Sequence, residues 1–127
     1  MPALEPVEAW RVVATPAALD AARWKGEGVD VVRIAADEAL GVGATGVEVD
    51  GDPDAIVEAE GGFSVAILTP DDAIAVRWHI EWAIERARDG LAQGKIAGVP
   101  AKLVVGDPTI LVVQTAYVDE LRSRLGW

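Results

Sequence analysis

The sequence predicts a single α+β domain, with a mainly antiparallel sheet packed against two to four helices. A chain of 127 residues has the length of one domain. Its strand-like and helix-like segments are mixed without a regular strand-helix-strand alternation, which argues against a parallel sheet. The last two predicted strands, residues 101–105 and 109–114, flank a Gly-Asp-Pro turn and form a tight antiparallel pair. One domain is therefore expected over residues 1–127, with residues 1–6 disordered.

The first half of the chain alternates between short strands and turn signals. Residues 7–13 and 29–34 have strand-like patterns, and further strands are expected around the glycines of residues 40–49. Thr15 and Pro16 are a capping residue and a first helical residue, which predicts a helix over residues 16–25. A second short helix is predicted from Asp52 to about residue 58, where Ile56 and Val57 are expected to face the core.

The second half opens with a strand-like run at residues 63–68. Thr69 and Pro70 then give a strong helix start, and apolar residues at helical spacing extend the predicted helix to about Arg88. A last helix is predicted near the C-terminus, where Gly126 is placed to end it.

Composition restricts the compartment and the chemistry. The chain has no cysteine, which excludes disulfides, thiolate metal sites and cysteine nucleophiles and is typical of the cytoplasm. The N-terminal segment lacks a basic region and an apolar core of the kind found in signal peptides. No run of about 18 apolar residues is present, so we expect a cytoplasmic protein that does not span a membrane.

Negative charge is concentrated in the middle of the chain. The net charge is −10, and residues 34–76 contain ten acidic side chains and no Lys, Arg or His. Such a field repels phosphate backbones and anionic lipid headgroups, so nucleic acids and membranes are poor partners. A cationic ligand or a basic protein surface fits better, although solubility alone also explains an acidic surface.

The segment at residues 41–46 spells G-V-G-A-T-G, the letters of a dinucleotide-binding loop. In that loop the last glycine must open a helix whose amides receive the pyrophosphate. Gly46 is instead followed by V-E-V-D-G-D-P, which is strand-like and then broken by Pro53. We therefore expect a glycine-rich turn or bulge and no cofactor site.

Asp50, Asp52 and Asp54 match the first half of a calcium-binding loop. That loop also needs glycine at its sixth position and glutamate at its twelfth, and these places hold Ala55 and Gly61. Helix capping by Asp52 is the favoured interpretation, and a weak divalent-cation site is the alternative.

Catalytic candidates are few. His79 is the only histidine, and its helical neighbours include no carboxylate and no second histidine, so an enzyme built on it needs a distant partner. Trp78 and Trp82 would lie one helical turn apart, and two large amphipathic rings suit a protein interface as well as a core edge. We therefore predict no catalytic, cofactor or metal residue, and candidate interface residues at Trp78, Trp82, Asp50, Asp52 and Asp54.

Several segments together resemble a known family. They are V-R-I-A-A-D-E at residues 32–38, I-L-T-P-D-D-A at 67–73, A-Q-G-K-I-A-G-V-P-A-K-L at 92–103, and I-L-V-V followed by A-Y-V-D-E-L at 110–113 and 116–121. Over residues 29–127 the chain is similar to the gamma subunit of heterotetrameric sarcosine oxidase, a relative of the folate-binding aminomethyltransferase (glycine cleavage T-protein) fold. The resemblance implies a break in the helix near Trp78 and a loop to about Leu91.

The resemblance also implies a function. In that complex the flavins, the dinucleotide and the folate are held by other subunits, so the family transfers no active-site residue to this chain. We expect a non-catalytic accessory domain that binds a protein partner. The alternative is a free-standing homodimer that binds a small molecule or a divalent cation through Asp50, Asp52 and Asp54.

Overall fold

The computed structural model describes residues 2–80 and 90–127. The predicted class is confirmed: the chain is a single α+β domain of mostly antiparallel sheets, with 46% strand, 21% helix and three helices in the described part. Within it the chain divides into two compact units. The N-terminal unit is Val7–Gly61, and the C-terminal unit is Met1–Pro6 with Gly62–Trp127.

The elements follow one another in short segments. Up to Gly61 they are β1 (Glu5–Val7), β2 (Ala9–Val13), α1 (Pro16–Asp20), β3 (Arg23–Lys25), β4 (Asp30–Ala35), β5 (Glu38–Val42), β6 (Gly46–Glu48) and β7 (Ile56–Ala59). After Gly61 they are β8 (Phe63–Leu68), α2 (Pro70–Arg77), β9 (Leu91–Ile96), β10 (Val99–Val104), β11 (Thr109–Gln114), a 3₁₀ turn (Thr115–Tyr117) and α3 (Val118–Leu125). No helix in the described ranges has the length and apolar character needed to cross a membrane.

The N-terminal unit is built from two small antiparallel sheets. Four strands lie in the order β4-β5-β2-β7, and β3 pairs with β6 separately. The strand pairing aligns Val12 with Ala39 and with Val57. Apolar side chains from β2, the residue after it, α1 and β5 form a core cluster of this unit: Val12, Ala14, Ala18, Leu19 and Ala39.

The C-terminal unit is a five-stranded sheet in the order β1-β8-β11-β10-β9. Alternate residues of β8, such as Ala66 and Leu68, face a core to which α2 contributes Val76 and α3 contributes Leu121. Leu121 and Val76 are fully buried, so both helices are held by tertiary packing. Leu4, in the segment expected to be disordered, is only 8% exposed and belongs to the same core.

Two of the predicted helix starts, those at Thr15 and Thr69, are confirmed by their hydrogen bonds. The hydroxyl of Thr15 accepts from the Ala18 amide, and that of Thr69 accepts from the Asp72 amide at 3.1 Å. Pro16 and Pro70 occupy the first helical turn, where a missing amide costs nothing. Gly126 ends α3 in the left-handed conformation, with φ of 74°.

Two predicted helices are too long. α1 ends at Asp20, and residues 23–25 form β3 instead, because Trp24 packs on the core of the N-terminal unit. The predicted helix to Arg88 does not run continuously through the described residues, because α2 ends at Arg77 and Trp78 is its C-terminal cap. The continuation expected over residues 81–89 lies outside the described residues.

The helix predicted from Asp52 is wrong. Residues 52–55 form a turn, and Ile56–Ala59 is strand β7, in which Ile56 and Val57 are exposed rather than in the core. The β-branched pair Ile56-Val57 favours a strand, and pairing with β2 decides it. Strand β9 was not predicted at all, because Gln93, Gly94 and Lys95 hide its apolar pattern.

Candidate functional site

The glycines of residues 41–46 serve the strands around them. Gly41 lies in β5 under the Trp24 ring, where a Cβ atom would overlap the ring carbons. Gly43 has a φ of 86°, which glycine adopts without strain. Gly46 opens strand β6 and not a helix, so the loop has no helix N-terminus for a phosphate.

Each of the three predicted aspartates has a different local position. Asp52 is half-buried, and its carboxylate accepts from the Thr15 amide at 2.9 Å and from the Asp54 amide at 3.0 Å. Asp50 forms an ion pair with Arg23 at 2.9 Å. The Asp52 carboxylate therefore ties the turn before β7 to the start of α1, which is a structural use of the residue predicted as a cap.

No group of His, Cys, Asp or Glu side chains in the described ranges is arranged to hold a metal ion. The structure thus does not bring Asp50, Asp52 and Asp54 together as a metal cluster. The hypothesis of a divalent-cation site receives no geometric support from these three residues.

Every basic side chain of the N-terminal unit is engaged in an ion pair. Arg23 and Lys25 contact Glu48 at 2.8 and 2.9 Å, Arg11 contacts Glu38 and Glu58, and Arg33 contacts Asp20. Hydrogen bonds from Arg23, and then from Lys25, lower the pKa of Glu48 from 4.5 to about 2. The four bases are thus neutralised locally, and the remaining acids set the charge of this surface.

Two of the most exposed apolar side chains of the C-terminal unit lie on α2 and at its C-terminal cap. Trp78 is 84% exposed and Ile74, one turn earlier, is 56% exposed. Ile74 also lines an open groove of about 350 Å³ between the start of α2 and the turn that contains Pro108. We call Ile74, Trp78, Pro70 and Pro108 the α2 surface. Trp82, predicted to stack beside Trp78, lies outside the described residues.

His79 and the buried serine Ser64 have no catalytic arrangement around them among the described residues. His79 is exposed in the turn after α2, and its carbonyl accepts from the Ala97 amide at 2.7 Å. Ser64 is fully buried, and its hydroxyl contacts the Thr115 hydroxyl at 2.8 Å. Within residues 2–80 and 90–127, neither residue has a neighbouring base in a hydrogen bond that would activate it.

Sequence reasoning missed Ile74 as an interface residue. Its position four residues before Trp78, on the helix face opposite the buried Val76, is a signal that was available. The exposed strand β7 was also missed, because its residues were assigned to a helix. Only the strand pairing with β2 reveals it.

No protein-family model matches the chain, and no curated protein matches it significantly.

Proposed function

We propose that the chain is a non-catalytic accessory domain that binds another protein through the α2 surface, as a gamma-like small subunit of a sarcosine-oxidase-type flavoenzyme complex in the cytoplasm. The resemblance at residues 29–127 motivates the class of partner. The observation that carries the proposal is the exposure of Ile74 on α2 and of Trp78 at the C-terminal cap of that helix, four residues later.

Tryptophan and isoleucine in this arrangement are suited to recognition. Tryptophan is enriched among the residues that dominate binding energy, because it buries a large rigid area with few rotatable bonds. Burying about 200 Å² of indole at about 25 cal/mol per Å² is worth about 5 kcal/mol before the cost of association. The groove beside Ile74 offers a concave site next to that anchor.

The described residues around the α2 surface carry charges of both signs. Asp71 and Arg77 are exposed on α2, and Asp107 lines the groove. These groups form a polar rim around an apolar centre, which is the usual anatomy of a protein interface.

The test is affinity purification of the tagged chain from its native source. We expect the wild-type chain to recover a larger chain in constant ratio, and the complex to show flavin absorbance. Trp78→Ala should lower the recovered partner at least about tenfold, and Ile74→Ala should lower it less.

Ile67→Ala is a matched control for Ile74→Ala, because Ile67 is also an exposed isoleucine (67%) but lies on β8 rather than on α2. It should leave recovery unchanged. The proposal is wrong if the wild-type chain is recovered alone, or if Trp78→Ala retains the partner as well as Ile67→Ala does.

A further inference from the structure

Strand β7 is an edge strand with exposed side chains on both of its faces. It is the last strand in the order β4-β5-β2-β7, and all four of its residues are exposed. Ile56 is 48% and Val57 is 39% exposed, and successive residues of a strand point to opposite faces. Such an edge is a template for pairing with another strand.

The hydrogen bonds show which main-chain groups of β7 are turned outward. The Glu60 amide donates to the Ala9 carbonyl at 2.7 Å, so the main chain of Glu60 faces β2. In an antiparallel ladder this facing alternates, so Ile56 and Glu58 also face β2. The amides and carbonyls of Val57 and Ala59 therefore point away from β2, and the described part of the chain places no strand beyond them.

The strand β7 and the turn before it carry charge of one sign. Residues 50–60 contain five acidic side chains and no base. Arg11 contacts Glu58 at 3.3 Å, but this pair is exposed and therefore weak. None of the ion pairs among the described residues involves Asp54 or Glu60, so both carboxylates are available to a cationic partner.

The opposite edge of the same sheet, strand β4, differs from β7 in charge and has a register shift between Arg33 and Ala35. Main-chain groups of successive residues face opposite sides of a strand, and the registers of β2 with β5 and of β5 with β4 place those of Val31 on the outer side of β4. The side chain of Val31 is 48% exposed. That strand carries the base Arg33 as well as Asp30, so its field is mixed. Two copies of β7 paired with each other would instead place acid near acid, which disfavours a homodimer at this edge.

We propose that the free edge of β7 docks an extended, basic segment of a partner protein. The segment adds to the sheet as a strand by exchanging main-chain hydrogen bonds with Val57 and Ala59. Its basic side chains lie near Asp54 and Glu60, and apolar side chains between them cover Ile56 or Val57. This site lies in the N-terminal unit and uses no residue of the α2 surface.

The probe is a fluorescent six-residue peptide that alternates lysine and valine, added to the full chain. We expect saturable binding that weakens as salt is raised, and slower hydrogen exchange of the Val57 and Ala59 amides in the complex. The same peptide with glutamate for lysine should bind at least about tenfold more weakly. A basic peptide methylated at every backbone nitrogen should also bind at least about tenfold more weakly, because it keeps the charge and loses the donors.

The protein variant is Val57→Pro, which removes an outward amide and leaves the amides of Ile56 and Glu58 for β2. It should weaken binding of the basic peptide at least about tenfold. Val31→Pro is the matched control, since it removes an outward valine amide from the other edge, and it should not change binding. Circular dichroism checks that each variant is folded. If Val57→Pro is unfolded, the proposal is tested instead by comparing the binding of the methylated and unmethylated basic peptides to the wild-type chain.

Three results would overturn the proposal. The first is that the basic peptide fails to bind, or that its methylated form binds equally well. The second is that binding leaves the exchange of the Val57 and Ala59 amides unchanged. The third is that the chain self-associates through this edge and Val57→Pro abolishes the association, which would make a second copy the occupant. Failure here would leave the proposal for the α2 surface standing, because the assay does not involve Ile74 or Trp78.

Discussion

The two units of the chain have surfaces of different kinds. Residues 7–61 carry twelve acidic and four basic side chains, a net charge of −8, whereas the remaining residues carry nine and seven, a net charge of −2. In the N-terminal unit all four bases form ion pairs. In the C-terminal unit the notable exposed groups are apolar: Ile67, Ile74 and Trp78.

This difference indicates two modes of recognition in one small chain. The apolar α2 surface suits a contact whose energy comes from area removed from water and is insensitive to salt. The acidic edge at β7 suits a contact that is guided by charge and weakened by salt. Raising the salt concentration should therefore distinguish the two contacts, because it should weaken binding at the edge of β7 and leave binding at the α2 surface unchanged.

The largest expected effect comes from the core of the C-terminal unit. Leu121→Ala removes the fully buried side chain of α3, and should lower the free energy of unfolding by about 3 kcal/mol. Urea denaturation followed by circular dichroism measures this. Ile67→Ala, at an exposed site of the same unit, should change it by less than about 0.5 kcal/mol. Equal effects at the two sites would contradict the assigned core.

A smaller effect is expected in the N-terminal unit from Gly41→Ala. The added methyl group overlaps the Trp24 ring, so β3 must move away from β5, at a cost of about 2 kcal/mol in the free energy of unfolding. Gly61→Ala is the matched control, because a Cβ there meets no atom within 4 Å. If the same denaturation curve shows no loss of stability in Gly41→Ala, the packing role assigned to this glycine is wrong.

The turn between β9 and β10 offers two substitutions of opposite sign. Ala97 has a φ of 49°, which is unfavourable for alanine, so Ala97→Gly should stabilise the fold by about 0.5–1 kcal/mol. At the next residue Gly98→Ala should destabilise it by about 1–2 kcal/mol, since φ is 79° and the methyl group would meet Arg124. Thermal melts of the pair test this, and a shared sign would be incompatible with the turn as described.

Much of the fold could be predicted from local signals. The caps at Thr15 and Thr69, the strand at Phe63–Leu68 and the stop at Gly126 depend on residues within one or two turns, and all were predicted. The failures depend on distant partners. The β-branched pair Ile56-Val57 is only a weak local signal for β7, and its pairing with β2, some 45 residues earlier, decides that it is a strand.

In the candidate sites, too, the features set by nearby residues could be predicted and those set by distant residues could not. Trp78 could be found from its residue type and its place on α2, although its exposure could not. The loop at residues 41–46 could be excluded as a phosphate site because the residues after Gly46 are strand-like. The need for glycine at position 41 could not be predicted, because the Trp24 ring that leaves no room for a Cβ atom there belongs to another strand. The edge at β7 needed the strand order, which only the folded chain provides.

The smallest expected effect concerns the charges of the N-terminal unit. The pKa of Glu48 is lowered to about 2, first by its hydrogen bond from Arg23 and then by that from Lys25. Because the folded pKa lies below the unfolded value, this carboxylate stabilises the fold above pH 4.5, and the contribution is lost as the pH falls toward 2. The side chain is exposed, so water and salt reduce the contribution.

Nuclear magnetic resonance titration of the Glu48 carboxyl measures this effect directly. Arg23→Gln should raise the pKa of Glu48 more than Lys25→Gln does, because the Arg23 hydrogen bond is the larger cause of the shift. Salt should raise it in the wild-type chain as well, since screening weakens exposed ion pairs. A larger rise with Lys25→Gln than with Arg23→Gln would reverse the assignment. No rise with either variant would mean that the acidic surface of this unit is neutralised less by its own bases than the ion pairs indicate, and would leave more of its charge for a partner.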